Sequence, residues 1–118
     1  MKDNAIVAKS FSFALQIVDL YRLLVEQKRE YVLSKQLLRS GTSIGANVNE
    51  AVDAQSTADF IHKMSISLKE ARETHYWLRL LSESQYIDSH HPQIDSCEEL
   101  IRILTAIVKT SKENAKKQ

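Results

Sequence analysis

The segment Arg39 to Phe60, RSGTSIGANVNEAVDAQSTADF, keeps a helical repeat while replacing bulky side chains with small and polar ones. Leu37, Gly41, Ile44, Val48 and Ala51 recur at alternating steps of four and three, which sets them along one helical face. Gly41 and Gly45 lie one turn apart within that repeat. Each interior glycine costs about 1 kcal/mol of helix propensity relative to alanine, so a pair of them points to a neighbouring backbone packed very close. A second stripe, Ser40, Ser43, Asn47 and Glu50, runs alongside. It is polar and suited to hydrogen bonding across a tight contact. The segment therefore belongs in a protein where another helix, or another copy of the chain, comes near.

The remaining periodicity extends this to four helices. Val7, Phe11, Ala14, Val18, Tyr21 and Val25 form one apolar stripe, and Phe13, Ile17, Leu20 and Leu24 form a second beside it, so the first helix has an unusually wide apolar face. It is expected over residues 4–27. The second helix is expected over 34–54, with Ser34 as its cap and Leu33 and Leu38 as a hydrophobic staple. Ser56 followed by Asp59 resembles a capping arrangement opening a third helix, over 57–84, which Phe60, Met64, Ser67, Ala71, Thr74, Leu78 and Leu81 continue. Pro92 suits the first turn of a fourth, over 93–115, although Ser96 and Glu99 also match a capping box; Ile94, Cys97, Ile101, Leu104 and Val108 supply its stripe. Short connections favour antiparallel neighbours. The expected fold is all-α, a single up-down-up-down four-helix bundle spanning residues 1–118.

Composition agrees and narrows the functional classes. With 118 residues and 43% hydrophobic content there is enough for one modest core, and two Gly and one Pro leave the helices uninterrupted. No apolar run approaches the ~18 residues that would cross a membrane, and MKDNAIVAKS lacks a signal-peptide core, so a soluble cytoplasmic protein is expected. A lone cysteine, Cys97, gives neither an internal disulfide nor a zinc cluster. The formal charge of +1 is far from the strongly basic balance of dedicated nucleic-acid binders, so any electrostatic surface must be local.

The chain also resembles a known family. QLLRS (Gln36 to Ser40), Ser43, Ile44, Ala46, Asn47, Glu50 and Ala51, then Asp59, Phe60 and Lys63, then Leu68 to Thr74 follow a recurrent pattern. That pattern, Q-L-x-R-S, S-I-x-A-N-x-x-E-A, D-F-x-x-K and L-K-E-A-x-E-T, is similar to the four-helix bundle proteins encoded by intervening sequences within bacterial 23S ribosomal RNA genes. The resemblance covers nearly the whole chain. It implies a four-helix bundle that assembles as a homopentameric ring. A relative similar in fold, the accessory protein of diversity-generating retroelements, binds nucleic acid through a basic exterior, which implies contact with rRNA or another nucleic acid here.

Catalytic and metal patterns are weak. Asp59 and His62 have the separation of a carboxylate–histidine pair but stand alone, and His90 and His91 precede Pro92 as a turn would. Helical ribonucleases of the HEPN type carry an Arg followed four to six residues later by a His; Arg72 and His75 are spaced too closely. Cys97 sits on an apolar stripe as a small core residue would. No enzyme, metal or cofactor is expected. Two lysine-rich clusters remain as nucleic-acid candidates: Lys28, Arg29 and Lys35, and Lys109, Lys112, Lys116 and Lys117. Lysines near a helix C-terminus also simply complement its dipole. Arg39, Gly41, Ser43, Gly45, Asn47, Glu50 and Trp77 are the candidates for helix or subunit contact, with Tyr76 and Leu80 near the Trp. Binding of structured RNA by an oligomer is the leading expectation. An oligomeric protein-interaction scaffold is the alternative.

Overall fold

The computed structural model describes residues 4–117; residues 1–3 and 118, the ends of the expected domain, lie outside the described residues. Four helices follow one another, α1 (Asn4–Glu26), α2 (Leu33–Val52), α3 (Thr57–Glu83) and α4 (Pro92–Lys116). Their connections, 27–32, 53–56 and 84–91, are too short to carry the chain back along helices about 30–40 Å long. Each helix must therefore start at the end where the previous one stopped. The pairings α1·α2, α2·α3, α3·α4 and α1·α4 close a square, giving an up-down-up-down bundle about 52 × 21 × 21 Å.

The core is built from one stripe per helix. Ile17 and Leu24 of α1, Leu37 and Ile44 of α2, Met64 and Leu78 of α3 and Leu104 of α4 are wholly buried. In α1 the Phe13, Ile17, Leu20 and Leu24 stripe is the buried one, whereas the Val7 to Val25 stripe lies half out of the core and Phe11 is 60% exposed. Hydroxyls replace apolar groups where α2 meets α3. Ser67 donates to the Ile44 carbonyl at 2.8 Å, and the Thr74 and Ser40 hydroxyls lie 3.0 Å apart. A buried polar group that keeps a partner avoids most of its desolvation cost and fixes register.

Both glycines sit inside α2, so the helix ends must be made without them. Arg29 and Gln85, with φ of 54° and 70°, take the left-handed conformation that glycine usually fills after a helix. Behind Arg29 the chain is held by Glu30, not by Ser34 as the sequence suggested. The Glu30 carboxylate accepts the amides of Val32, Leu33 and Ser34 at 3.1, 3.0 and 2.6 Å. Ser34 lies inside the first turn, buried, donating its hydroxyl back to the Glu30 carbonyl at 2.7 Å. The longer Glu side chain reaches three free amides at once, which a serine hydroxyl cannot do. At α3 the expected cap is present: Ser56 Oγ accepts from the Asp59 amide at 3.0 Å. At α4 Pro92 opens the helix and His91 caps it, its Nδ1 accepting from Gln93.

Candidate functional site

The groups most able to do chemistry are held in structural roles. Cys97 is fully buried with its Sγ 3.3 Å from the Ala71 carbonyl. Burial, and then the nearby Glu98 carboxylate, push its thiol up to about 12, so it stays protonated and unreactive. His75 pairs with Glu98 at 3.0 Å across α3 and α4, and Arg72 points outward on α3. His91 is spent on the α4 cap, and burial lowers its proton affinity. Among the described residues no three His, Cys, Asp or Glu side chains gather as a metal site would require. A surface groove of about 480 Å³ is lined by small neutral residues such as Ala54, Ser56, Ser111 and Asn114.

The glycine face of α2 meets α1 of the same chain. A Cβ on Gly41 would lie 2.9 Å from Ile17 Cγ2, and one on Gly45 would lie 3.3 Å from the Ser10 carbonyl oxygen. The contact left open by the sequence is thus made within the subunit. Ser10, buried at this crossing, was not foreseen; only its register opposite Gly45 betrays it.

The polar stripe of α2 bonds partly along its own helix and partly to α3. Ser43 donates to the Arg39 carbonyl at 2.6 Å, and Asn47 donates to the Ser43 carbonyl at 2.8 Å. Glu50 pairs with Lys63 at 2.8 Å. Arg39 bridges Glu70, at 3.3 Å, and Glu73. The Trp77 indole N–H donates to Glu73 at 3.0 Å. That bond, opposed by burial and helped by Arg39, holds the Glu73 carboxyl below the usual range. Arg39 and Glu50 thus brace α2 against α3 in this chain, and Trp77, within α3, holds the Glu73 end of the Arg39 bridge. Trp77 stacks edge-on with Tyr76, at a centroid distance of 5.1 Å, and Tyr76 itself is exposed.

The two basic clusters lie at opposite ends of the bundle. Lys28, Arg29 and Lys35 surround the α1–α2 connection, where α4 begins; Lys109, Lys112, Lys116 and Lys117 occupy the end where α4 finishes. In one subunit they cannot form a single surface.

What the sequence did not single out is Leu15. It stands one turn beyond Phe11 and is 55% exposed. A second apolar patch is formed by Tyr76 and Leu80 on α3, at 58% and 37%.

These features sit on a fold whose relatives are identifiable. The family of 23S rRNA-intervening sequence proteins matches residues 2–106. The chain belongs to this family. Its fold is similar to the crystal structure of a protein of unknown function from the S23 ribosomal protein family of Bacteroides thetaiotaomicron VPI-5482. The two are 51% identical with a TM-score of 0.89, over 92% of this chain and 99% of that one. No curated protein matches the chain. Among the described residues the only regular structure is helical, and no helix is long and apolar enough to cross a membrane.

Proposed function

We propose that this 23S rRNA-intervening sequence protein is a non-enzymatic cytoplasmic bundle that assembles into a homo-oligomeric ring and holds structured RNA or another nucleic acid on its basic ends. The observation that carries the assembly is apolar area left outside a core that is already filled. Phe11, Leu15 and Tyr76 are each more than half exposed while the inner faces of α1 and α3 are closed. Exposed apolar side chains grouped in patches mark interaction surfaces, whereas scattered single ones do not. The family resemblance supports five subunits.

Assembly changes what the lysines can do. One subunit offers three or four phosphate contacts at each end, which alone give weak, salt-sensitive binding without sequence reading. Protomers arranged side by side in the same orientation repeat each cluster around a rim. A long RNA can then engage several copies at once and gain avidity.

The test is a titration of fluorescent structured RNA at two salt concentrations, with wild type and a variant carrying Lys109→Gln, Lys112→Gln, Lys116→Gln and Lys117→Gln. Wild type is expected to bind at low salt and to weaken as salt rises. Removing four phosphate contacts per subunit should weaken binding at least about tenfold and flatten the log–log salt dependence by up to roughly 3 units per engaged subunit. The near-neutral charge of +1 favours the second reading, a protein-interaction scaffold. Absence of RNA binding by wild type at low salt would decide for that reading.

A further inference from the structure

We propose that the side of the bundle where α3 and α4 meet is a track for the phosphate backbone of double-helical RNA, with Arg72, Arg102, Lys109, Lys112 and Lys116 as its cations. This rests on the nucleic-acid reading above and names the form of RNA held. Arg72 and Arg102 belong to neither lysine-rich cluster.

Helical register places the row. His75 of α3 bonds Glu98 of α4 at 3.0 Å, which marks the two helix faces that meet along this side. After Glu98, the residues Arg102, Thr105, Lys109, Lys112 and Lys116 follow at alternating steps of four and three, so they share one face of α4. Arg72 lies one turn before His75. Because α3 and α4 are antiparallel, a step back along α3 and a step forward along α4 move the same way along the bundle, which puts Arg72 and Arg102 on neighbouring turns. From Arg102 to Lys116 the row runs about 21 Å along α4.

Charge says what the row holds. All five cations are exposed, and among the described residues none of them makes a salt bridge. The acids along it are Glu98, occupied by His75, and Glu113 near its lower end; Asp95 lies a turn before Glu98, beyond the row. Asp59, at the start of α3, sits near Lys63 on the α2 side. Five cations against two acids, on a chain whose formal charge is only +1, mean that the compensating carboxylates lie on other faces. A line of like charge on two rigid helices is complementary to a polyanion.

The side chains between the cations select the form of the polyanion. Single strands are held where aromatic rings interleave with cations and take up the bases. Among the described residues no aromatic stands within this row; Ser65 of α3 and Thr105 of α4, between its cations, are small, and Tyr76 is one turn beyond Arg72. A double helix keeps its bases stacked inside and presents phosphates and sugars, which are what such a row can engage. Short side chains between the cations also let a stiff rod approach both helices.

Anisotropy titrations with a fluorescent RNA hairpin duplex and with an unpaired RNA strand test the track. The proteins are wild type, Arg72→Gln/Arg102→Gln, Arg72→Lys/Arg102→Lys, and Lys9→Gln/Arg22→Gln, which removes the same charge from α1. All four positions are exposed, so the fold should survive, and circular dichroism checks it. Wild type is expected to bind the duplex more tightly than the strand. Arg72→Gln/Arg102→Gln should weaken duplex binding about tenfold and flatten the log–log salt dependence by roughly 2 units. The lysine pair, which keeps the charge, should retain most of the affinity, and the α1 pair should bind like wild type. Equal losses in the two glutamine pairs, or no loss in Arg72→Gln/Arg102→Gln, would overturn the track while leaving RNA binding elsewhere on the chain. Tighter binding of the strand than of the duplex would overturn the double-helical form. A wild type that binds neither RNA at low salt would remove the nucleic-acid reading, and this site with it.

Discussion

Glu30→Ala is expected to lower the unfolding free energy by about 2–3 kcal/mol, measured by urea or thermal denaturation. The side chain is only 8% exposed and its carboxylate accepts three backbone amides at the start of α2. Hydrogen bonds to an ionised acceptor are stronger than neutral ones, and alanine leaves all three amides without a protein partner. Some become hydrated, which keeps the loss below the sum of three full bonds. Glu30→Gln should lose less, because an amide oxygen still accepts. The same contacts predict a pH dependence. Burial raises the Glu30 pKa, but the amides of Leu33, Ser34 and Val32 together outweigh it and leave the group below its ordinary value. The folded state then binds fewer protons than the unfolded one, so this contribution is full above the unfolded value of about 4.3 and fades as pH falls through the lower folded value. Wild type should lose more stability than Glu30→Ala over that acidic window. Parallel losses in the two proteins would contradict the clamp.

Gly41→Leu is expected to cost about 3 kcal/mol or more, lowering the melting temperature by roughly 10 °C or more. The Cβ alone would sit 2.9 Å from Ile17 Cγ2 and 3.0 Å from its Cγ1. Ile17 is wholly buried and β-branched, so it has neither space nor easy rotamers in which to retreat. The gain in helix propensity over glycine, under about 1 kcal/mol, does not offset that clash. Gly45→Leu meets backbone instead, the Ser10 carbonyl oxygen at 3.3 Å, and should be similarly destabilising. Since both glycines face α1 of their own chain, folded Gly45→Leu should keep the wild-type particle mass in light scattering. A stable variant of smaller mass would mean that these glycines face another copy.

Helical periodicity made the core legible because it depends only on which residues share a face. Leu37, Gly41, Ile44, Val48 and Ala51 are all buried as that spacing implies, and the stripe from Met64 to Leu81 lines α3. The first helix was harder. Its two stripes are equally apolar in sequence, and only the position of α2 and α4 decides that Ile17 faces inward and Phe11 outward. Caps were legible where a residue acts three places ahead, as Ser56 does, and hidden where a longer side chain folds over a left-handed turn, as Glu30 does after Arg29. Which basic cluster lies near which follows from topology, and the bundle separates Lys28 and Arg29 from Lys112 and Lys116 along its length. The family pattern in α2 and α3 had a physical reading in Arg39, Glu70 and Glu73, but spacing along one helix does not reveal a bridge to another.

The most direct measurement is the solution mass of wild type beside Leu15→Glu, by sedimentation equilibrium at micromolar concentration, with helical content followed by circular dichroism. Assembly through these apolar patches predicts a wild type several times the protomer mass and a Leu15→Glu protein that is equally helical but monomeric or much more weakly associated, because a carboxylate buried in the contact would be left unpaired. A wild type that sediments as one protomer with Phe11, Leu15, Tyr76 and Leu80 in water would contradict it.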